Sequence, residues 1–189
     1  MDIKTQKTRA RIQAKAKRQE LLTAGYANFA AEELLRYFPA VQFRGAKVGG
    51  IWPLPGELDT RPLMTALAAQ GQELSLPCTP RKGKPLTFRA WLPGSRLKAG
   101  PYGTREPYPE QAEVFPTLVL VPLLAFTASG DRLGYGGGFY DRTLASLRAR
   151  QDIFACGIAF AAQEATQIPT GPYDVPLDGV LTDQYFKVF

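Results

Sequence analysis

The apolar and polar positions of the chain change period several times. From Lys4 to Glu20 the only large apolar side chain is Ile12. Ala10, Ala14, Ala16 and the glutamines nearby favour helix, so a helix over about residues 3–24 is predicted. Leu21 to Phe38 continues helical, broken at Gly25 and ended by Pro39. Ala46 to Trp52 predicts a strand, with Pro53, Pro55 and Gly56 as the turn after it. Thr60 to Gln70 has helical spacing: Thr60 can cap it, Pro62 suits its first turn and Gly71 its stop. Glu73 to Pro77 predicts a second strand, and strand, helix, strand in that order suggests a parallel unit.

Arg81 to Lys84 predicts a basic turn and Leu86 to Trp91 a strand. Pro93 to Pro116 is rich in Gly and Pro and predicts a long loop, a length often tied to function in a compact fold. Thr117 to Val121 is an apolar, β-branched run of the kind buried on both faces of a parallel sheet. A glycine-rich segment follows, then a helix to about Arg150, a buried strand over Ile153 to Phe160, a Pro-rich loop over Ile168 to Leu177 and a short strand over Gly179 to Thr182. The fold class expected is α/β, three layers (α/β/α) around a mostly parallel, Rossmann-like sheet. One domain over residues 1–189 is expected, with the basic N-terminal helix packed on the α/β body.

Composition narrows the chemistry. The chain has 189 residues and no histidine. Ser-His-Asp and Cys-His nucleophile systems are therefore excluded, as are His-ligated metal sites. Reaction chemistry must come from carboxylates, Lys, Arg, Tyr, backbone groups or a bound ion. Two cysteines, Cys78 and Cys156, are too few for a disulfide framework and suit a reducing cytoplasm, the expected location. The longest apolar stretch, Thr117 to Phe126, is ten residues, about half of a membrane span. The N-terminus has no apolar segment after its charges, so neither a signal peptide nor a membrane partner is expected.

Net charge is +6, from 23 Lys and Arg against 17 Asp and Glu. Residues 1–20 hold seven of those cations and two of the carboxylates, so nearly all of the excess sits on the first helix. Lys7 and Arg11 are four apart and share a face, with Lys4 and Lys15 near the same stripe. Three readings stand side by side: a solvated face, a nucleic-acid-binding arm, or cations held against a phosphorylated ligand.

Gly134, Gly136, Gly137 and Gly138 crowd one loop between a strand and a helix. Such a loop can present consecutive backbone N–H groups, and the helix start adds partial positive charge. Arg132 and Arg142 flank it. No Gly-Lys-Ser/Thr follows, so this is not a Walker loop, and Phe139 replaces the third glycine of G-x-G-x-x-G. A phosphate cradle and a tight connector needing positive φ are both open on these residues. Asp141, near the helix start, can interact with the helix dipole or hold Mg²⁺ beside phosphates. Asp178 is a candidate second carboxylate or a turn residue.

Together these residues resemble the 5-formyltetrahydrofolate cyclo-ligase (5,10-methenyltetrahydrofolate synthetase) family. Leu120 to Arg142, LVPLLAFTASGDRLGYGGGFYDR, carries the most distinctive part of the resemblance. Lys7 and Arg11 match a Lys-x-x-x-Arg pair, Gly56 to Thr60 a Glu-containing loop, Gly103 to Pro107 a loop ending Glu-Pro, and Tyr173 to Asp183 the C-terminal segment. The resemblance implies ATP- and Mg²⁺-dependent cyclisation of 5-formyltetrahydrofolate to 5,10-methenyltetrahydrofolate. In that reaction ATP phosphorylates the formyl oxygen, N10 of the folate attacks the activated carbon, and phosphate leaves.

By position, the resemblance implies that Lys7 and Arg11 contact ATP phosphates. Arg132, Leu133, Gly134, Tyr135, Gly136, Gly137, Gly138, Phe139 and Tyr140 would form the nucleotide loop. Arg132, Tyr140 and Asp141 would sit at the reacting atoms, and Asp141 and Asp178 would hold Mg²⁺. Trp52, Glu57 and Tyr102 would contact the folate, with Tyr135 to Phe139 bordering the formyl group. Trp52 as core and Tyr102 as a plain loop aromatic are the competing readings. Three departures are visible: Phe139 stands where Tyr is common, Tyr135 where some relatives carry a basic residue, and the leucine usual before the arginine of the first helix is missing. The expected partner is a small molecule, with a polyglutamate tail a further match for the basic helix, and a monomer is expected. A nucleic-acid-binding protein is the alternative, and an ATP-independent isomerase- or CoA-transferase-like enzyme on the same architecture is a third reading.

Overall fold

A computed structural model describes residues 2–23, 25 and 27–189. In chain order the elements are α1 (Ile3–Thr23), α2 (Ala27–Tyr37), β1 (Val48–Gly49), α3 (Arg61–Ala69), β2 (Leu74–Cys78), β3 (Thr87–Ala90), β4 (Lys98–Ala99), a 3₁₀ turn (Pro101–Gly103), β5 (Arg105–Glu106) and β6 (Glu113–Val114). There follow β7 (Leu118–Pro122), β8 (Ala125–Phe126), β9 (Arg132–Leu133), α4 (Phe139–Arg148), β10 (Phe154–Ala159), a 3₁₀ turn (Ala161–Gln163), β11 (Gly179–Thr182) and β12 (Phe186–Val188). Ala24, the expected last residue of the first helix, lies outside the described residues.

Eight strands form the main sheet in the order β12-β11-β10-β7-β1-β2-β3-β6. β11, β10, β7, β1 and β2 are parallel, and antiparallel strands cover both edges. Strict alternation along β7 builds the two cores. Leu118 and Leu120 face one side with Ala30 and Leu34 of α2 and Leu63 and Leu67 of α3. Val119 and Val121 face the other with Leu144 and Leu147 of α4. Helices thus cover both faces, the three-layer arrangement expected.

The chain order places a topological switch between β1 and β7. From β1 it runs through α3 to β2 on one side, and from β7 through α4 to β10 on the other. Loops leaving the carboxyl ends of β1 and β7 therefore diverge and leave a crevice between them, the usual ligand position in open α/β sheets.

Several elements differ from the pattern. β1 is two residues long, because the chain turns off the sheet after Gly50 and takes Ile51 and Trp52 toward the crevice. Side chains press on both glycines there: a Cβ on Gly49 would meet the Phe88 ring at 2.8 Å, and one on Gly50 would displace the end of the Met64 side chain, 2.3 Å away. Thr60 precedes α3 but makes no side-chain cap. Its buried hydroxyl instead donates to the Ile51 carbonyl at 2.8 Å, tying the helix start to the segment that carries Trp52. The long loop contains the β4–β5 hairpin and β6. The β8–β9 hairpin and β12, each strand only two or three residues long, are too short to leave a period in the sequence.

α1 lies outside the layers. Ala10 and Ala14 pack against Ala125, Leu133 and Ile168, and only at the end of the helix do larger side chains, Leu21 and Leu22, pack against the main core. Ile12 stays 66% exposed.

Replacing Thr60 by Val keeps its shape and leaves the Ile51 carbonyl unsatisfied. The expected loss is about 1–3 kcal/mol, read as a lower urea midpoint with an unchanged denaturant slope.

Candidate functional site

A cavity of about 600 Å³ opens at the switch point. It is walled by Ile51, Trp52, Leu54 and Glu57 after β1, Pro77 and Thr79 at the end of β2, Pro122 at the end of β7, the whole loop Arg132–Asp141, and Lys7, Arg11 and Lys15 of α1. Tyr102 and Asp174 complete it from two long loops.

The helical register aims α1 at this cavity. Lys7, Arg11 and Arg18 share one stripe with Ala10 and Ala14, while Lys4, Arg9 and Lys17 point to solvent. The Lys7 ammonium donates to both Asp174 oxygens, one of them at 2.6 Å. Arg11 Nε donates to the Gly134 carbonyl at 2.9 Å. Its guanidinium lies over Gly136, where φ is +97° and a Cβ would stand 3.1 Å from the guanidinium carbon. Arg142 donates to the Gly137 carbonyl at 2.8 Å. Two arginines thus hold the loop by its carbonyl oxygens. Gly138 is left-handed at φ +65° and starts α4 without a side-chain cap, leaving the first amides of that helix to a ligand.

Arg132 is nearly buried and bridges two chain segments. It donates to Asp141 Oδ1 at 2.6 Å and to the Val175 carbonyl. The Val175 N–H in turn donates to Asp141 Oδ1 at 3.2 Å. The segment after Gly171 is therefore docked beside α4, and this brings Asp174 into the same cavity as Asp141.

On the opposite wall, Glu57 Oε2 accepts from the Leu54 N–H at 2.8 Å and Oε1 accepts from the Tyr135 hydroxyl. Burial and the Glu57 charge push the Tyr135 phenol well above its usual range, and the same two causes act on Tyr140. Both phenols stay protonated near neutral pH. Trp52 does two things at once: it packs edge-on against buried Trp91, with centroids 6.2 Å apart, and it lines the cavity. Tyr102 is 71% exposed and holds a left-handed φ of +61°, with its ring 6.2 Å from that of Phe139. Glu106, buried below it, accepts from the Thr79 N–H at 2.9 Å and the Thr104 hydroxyl at 3.1 Å, anchoring the hairpin that presents Tyr102.

Every site residue expected from the sequence lines this cavity except Asp178. Asp178 precedes β11 at the amino end of the parallel strands, whereas the cavity lies at their carboxyl ends. Its carboxylate is held there by Arg148 and the Ala155 N–H, each at 2.7 Å. A residue that starts a parallel strand cannot reach a ligand at the far end. Asp174, four residues earlier in the same segment, occupies the position expected of Asp178. Lys82 and Arg105, which line the cavity, and Arg18, which bonds to Tyr135 beside it, were not singled out: their signal lay in a general basic excess.

The model of the 5-formyltetrahydrofolate cyclo-ligase family matches residues 3–183. The chain belongs to this family. It is 36% identical over 131 residues to the 5-formyltetrahydrofolate cyclo-ligase of Haemophilus influenzae, covering 67% of this chain and 70% of that one. To the enzyme of the same name from Escherichia coli K12 it is 34% identical over 158 residues, covering 81% and 85%. The solved structure of Aquifex aeolicus 5,10-methenyltetrahydrofolate synthetase superposes with a TM-score of 0.77 at 27% identity, covering 96% of this chain and 92% of that one. Among the described residues no helix is long and apolar enough to cross a membrane.

Gly136→Ala would place a side chain at φ +97° against the Arg11 guanidinium. A cost of about 1–3 kcal/mol is expected, seen as a lower melting temperature and faster amide exchange at 133–138.

Proposed function

We propose that the chain catalyses the ATP- and Mg²⁺-dependent closure of 5-formyltetrahydrofolate to 5,10-methenyltetrahydrofolate, giving ADP and phosphate. One observation carries the reading: in a chain of this family, a cationic glycine-loop cradle and an aromatic, carboxylate-bearing wall share one cavity. The first half suits a polyphosphate and the second a flat heterocycle with N–H donors.

Lys7, Arg11 and the amides of 134–138 hold the ATP phosphates by charge and hydrogen bonds, with Arg132 beside them. Asp141 and Asp174 are the carboxylates that would hold Mg²⁺, since magnesium takes one or two carboxylates and fills the rest of its shell with phosphate oxygens and water. Both carboxylates line the one cavity, and the Val175 N–H beside Asp174 donates to Asp141, which supports that role. When bound, the ion neutralises charge that develops on the transferring phosphoryl group. Trp52 and Tyr102 bracket the folate, and Glu57 accepts from the N–H edge of its pterin. Lys15, Lys82 and Arg105 at the cavity rim receive the carboxylates of the tail, including further glutamates where present.

The chemistry asks little covalent help from the protein. The formyl oxygen attacks the terminal phosphorus and the bond to the ADP oxygen breaks. N10 then adds to the activated carbon and gives up its proton, which the departing phosphate takes, and the C–O bond to phosphate breaks as the methenyl bridge forms. The cavity holds the formyl oxygen against the phosphate, so positioning supplies much of the rate in the first step. The second step is internal to the substrate. Neither step needs an imidazole.

Methenyltetrahydrofolate absorbance should rise only when 5-formyltetrahydrofolate, ATP and Mg²⁺ are all present; product formed without ATP, or none with all three, overturns the reading. Asp141→Ala and Asp174→Ala should each cost about 100-fold or more in turnover, in keeping with the several kcal/mol that a bound cation contributes. Asp178→Ala should turn over normally and unfold at a lower temperature.

A further inference from the structure

Arg18 is the one buried residue of α1, 9% exposed, and the assignments above give it no task. Among the described residues no carboxylate pairs with it directly. Its Nη1 donates to the Tyr135 hydroxyl at 2.6 Å, and the guanidinium carbon lies 5.6 Å from the Tyr135 ring centroid. A phenol has one proton, so an oxygen that accepts from Arg18 can spend that proton elsewhere, and here it goes to Glu57 Oε1. Three distant segments are thereby joined: α1, the glycine loop and the turn after β1.

Lone-pair counting shows what this does to Glu57. An ionised carboxylate has about four acceptor positions. Tyr135 occupies one on Oε1 and the Leu54 N–H one on Oε2. One position on each oxygen remains, the arrangement that accepts two parallel N–H donors. A nearby cation polarises the phenol and makes it the stronger donor. Holding a flexible glutamate in one rotamer beforehand also removes an ordering cost from binding.

We propose that Arg18 and Tyr135 are positioning residues for Glu57: the phenol relays the influence of Arg18 to the carboxylate and fixes it with its two free acceptor positions toward the N–H edge of the pterin. The proposal rests on the assignment of Glu57 to the folate made above. It gives a task to the tyrosine that stands where some relatives carry a basic residue.

The test is a mutant cycle on the full chain, reading kcat and KM for 5-formyltetrahydrofolate, KM for ATP and melting temperature. Tyr135→Phe keeps the ring and removes only the hydroxyl. It should raise the folate KM about tenfold, the order expected for a hydrogen bond to a charged group, with the KM for ATP unchanged. Arg18→Met should move the folate KM in the same direction. In a Glu57→Ala background, Tyr135→Phe should add nothing further. The proposal is overturned if Tyr135→Phe lowers only the melting temperature, or if it raises the folate KM equally with and without Glu57. If Glu57→Ala itself leaves the folate KM unchanged, the folate assignment of Glu57 fails instead, and the proposal falls with it. Should Arg18→Met not fold, the near-isosteric Tyr135→Phe cycle still decides.

Discussion

The site depends on how α1 is docked. This helix has no large apolar stripe, and a helix without one is normally marginal. It is held by Leu21 and Leu22 at its end, by two small alanines, and by cations that reach partners in other segments: Lys7 to Asp174, Arg11 to the Gly134 carbonyl, Arg18 to Tyr135. The same contacts shape the glycine loop and bring a carboxylate from the C-terminal segment alongside Asp141. The local excess of positive charge therefore stabilises a tertiary arrangement as well as marking a phosphate site. Partly buried ion pairs of this kind add modest net stability, yet losing one partner is costly. Docking through them specifies a geometry.

The second constraint is sheet topology. Parallel strands put their loops at one edge, and the reversal of strand order between β1 and β7, whose connections leave to opposite sides, opens the crevice there. Glycines at 49 and 50 let Phe88 and Met64 pack closely against β1 where the chain leaves it. Beyond them Trp52, read from the sequence as core or as a folate contact, packs on buried Trp91 and also lines the cavity. Tyr102 is the converse case: a non-glycine residue at positive φ, held by a hairpin that buried Glu106 anchors.

The absence of histidine now has a positive meaning. The cavity offers the carboxylates of Glu57, Asp141 and Asp174, the cations of α1, and the Tyr135 and Tyr140 phenols, which burial keeps protonated, and it holds no imidazole. Such a site suits a reaction whose nucleophiles both belong to the substrate, and in which the protein orients groups and neutralises charge.

Local and periodic features were legible in the sequence. The apolar run of Thr117 to Val121, the stop at Gly71 and the glycines of 134–138 foretold the buried strand, the helix end and the loop, because each depends on residues close in the chain. The family resemblance named many of the residues that line the cavity for the same reason, since its motifs are contiguous. Long-range choices were not legible. Asp174 and Asp178 lie in one segment and look alike, and what separates them is which end of a parallel strand each one reaches. Arg18 looks like any lysine or arginine of its helix until burial pairs it with Tyr135. The order of residues set the elements and the chemistry on offer; which charges face one another depended on packing between segments far apart in the chain, where burial and donor geometry choose the partner.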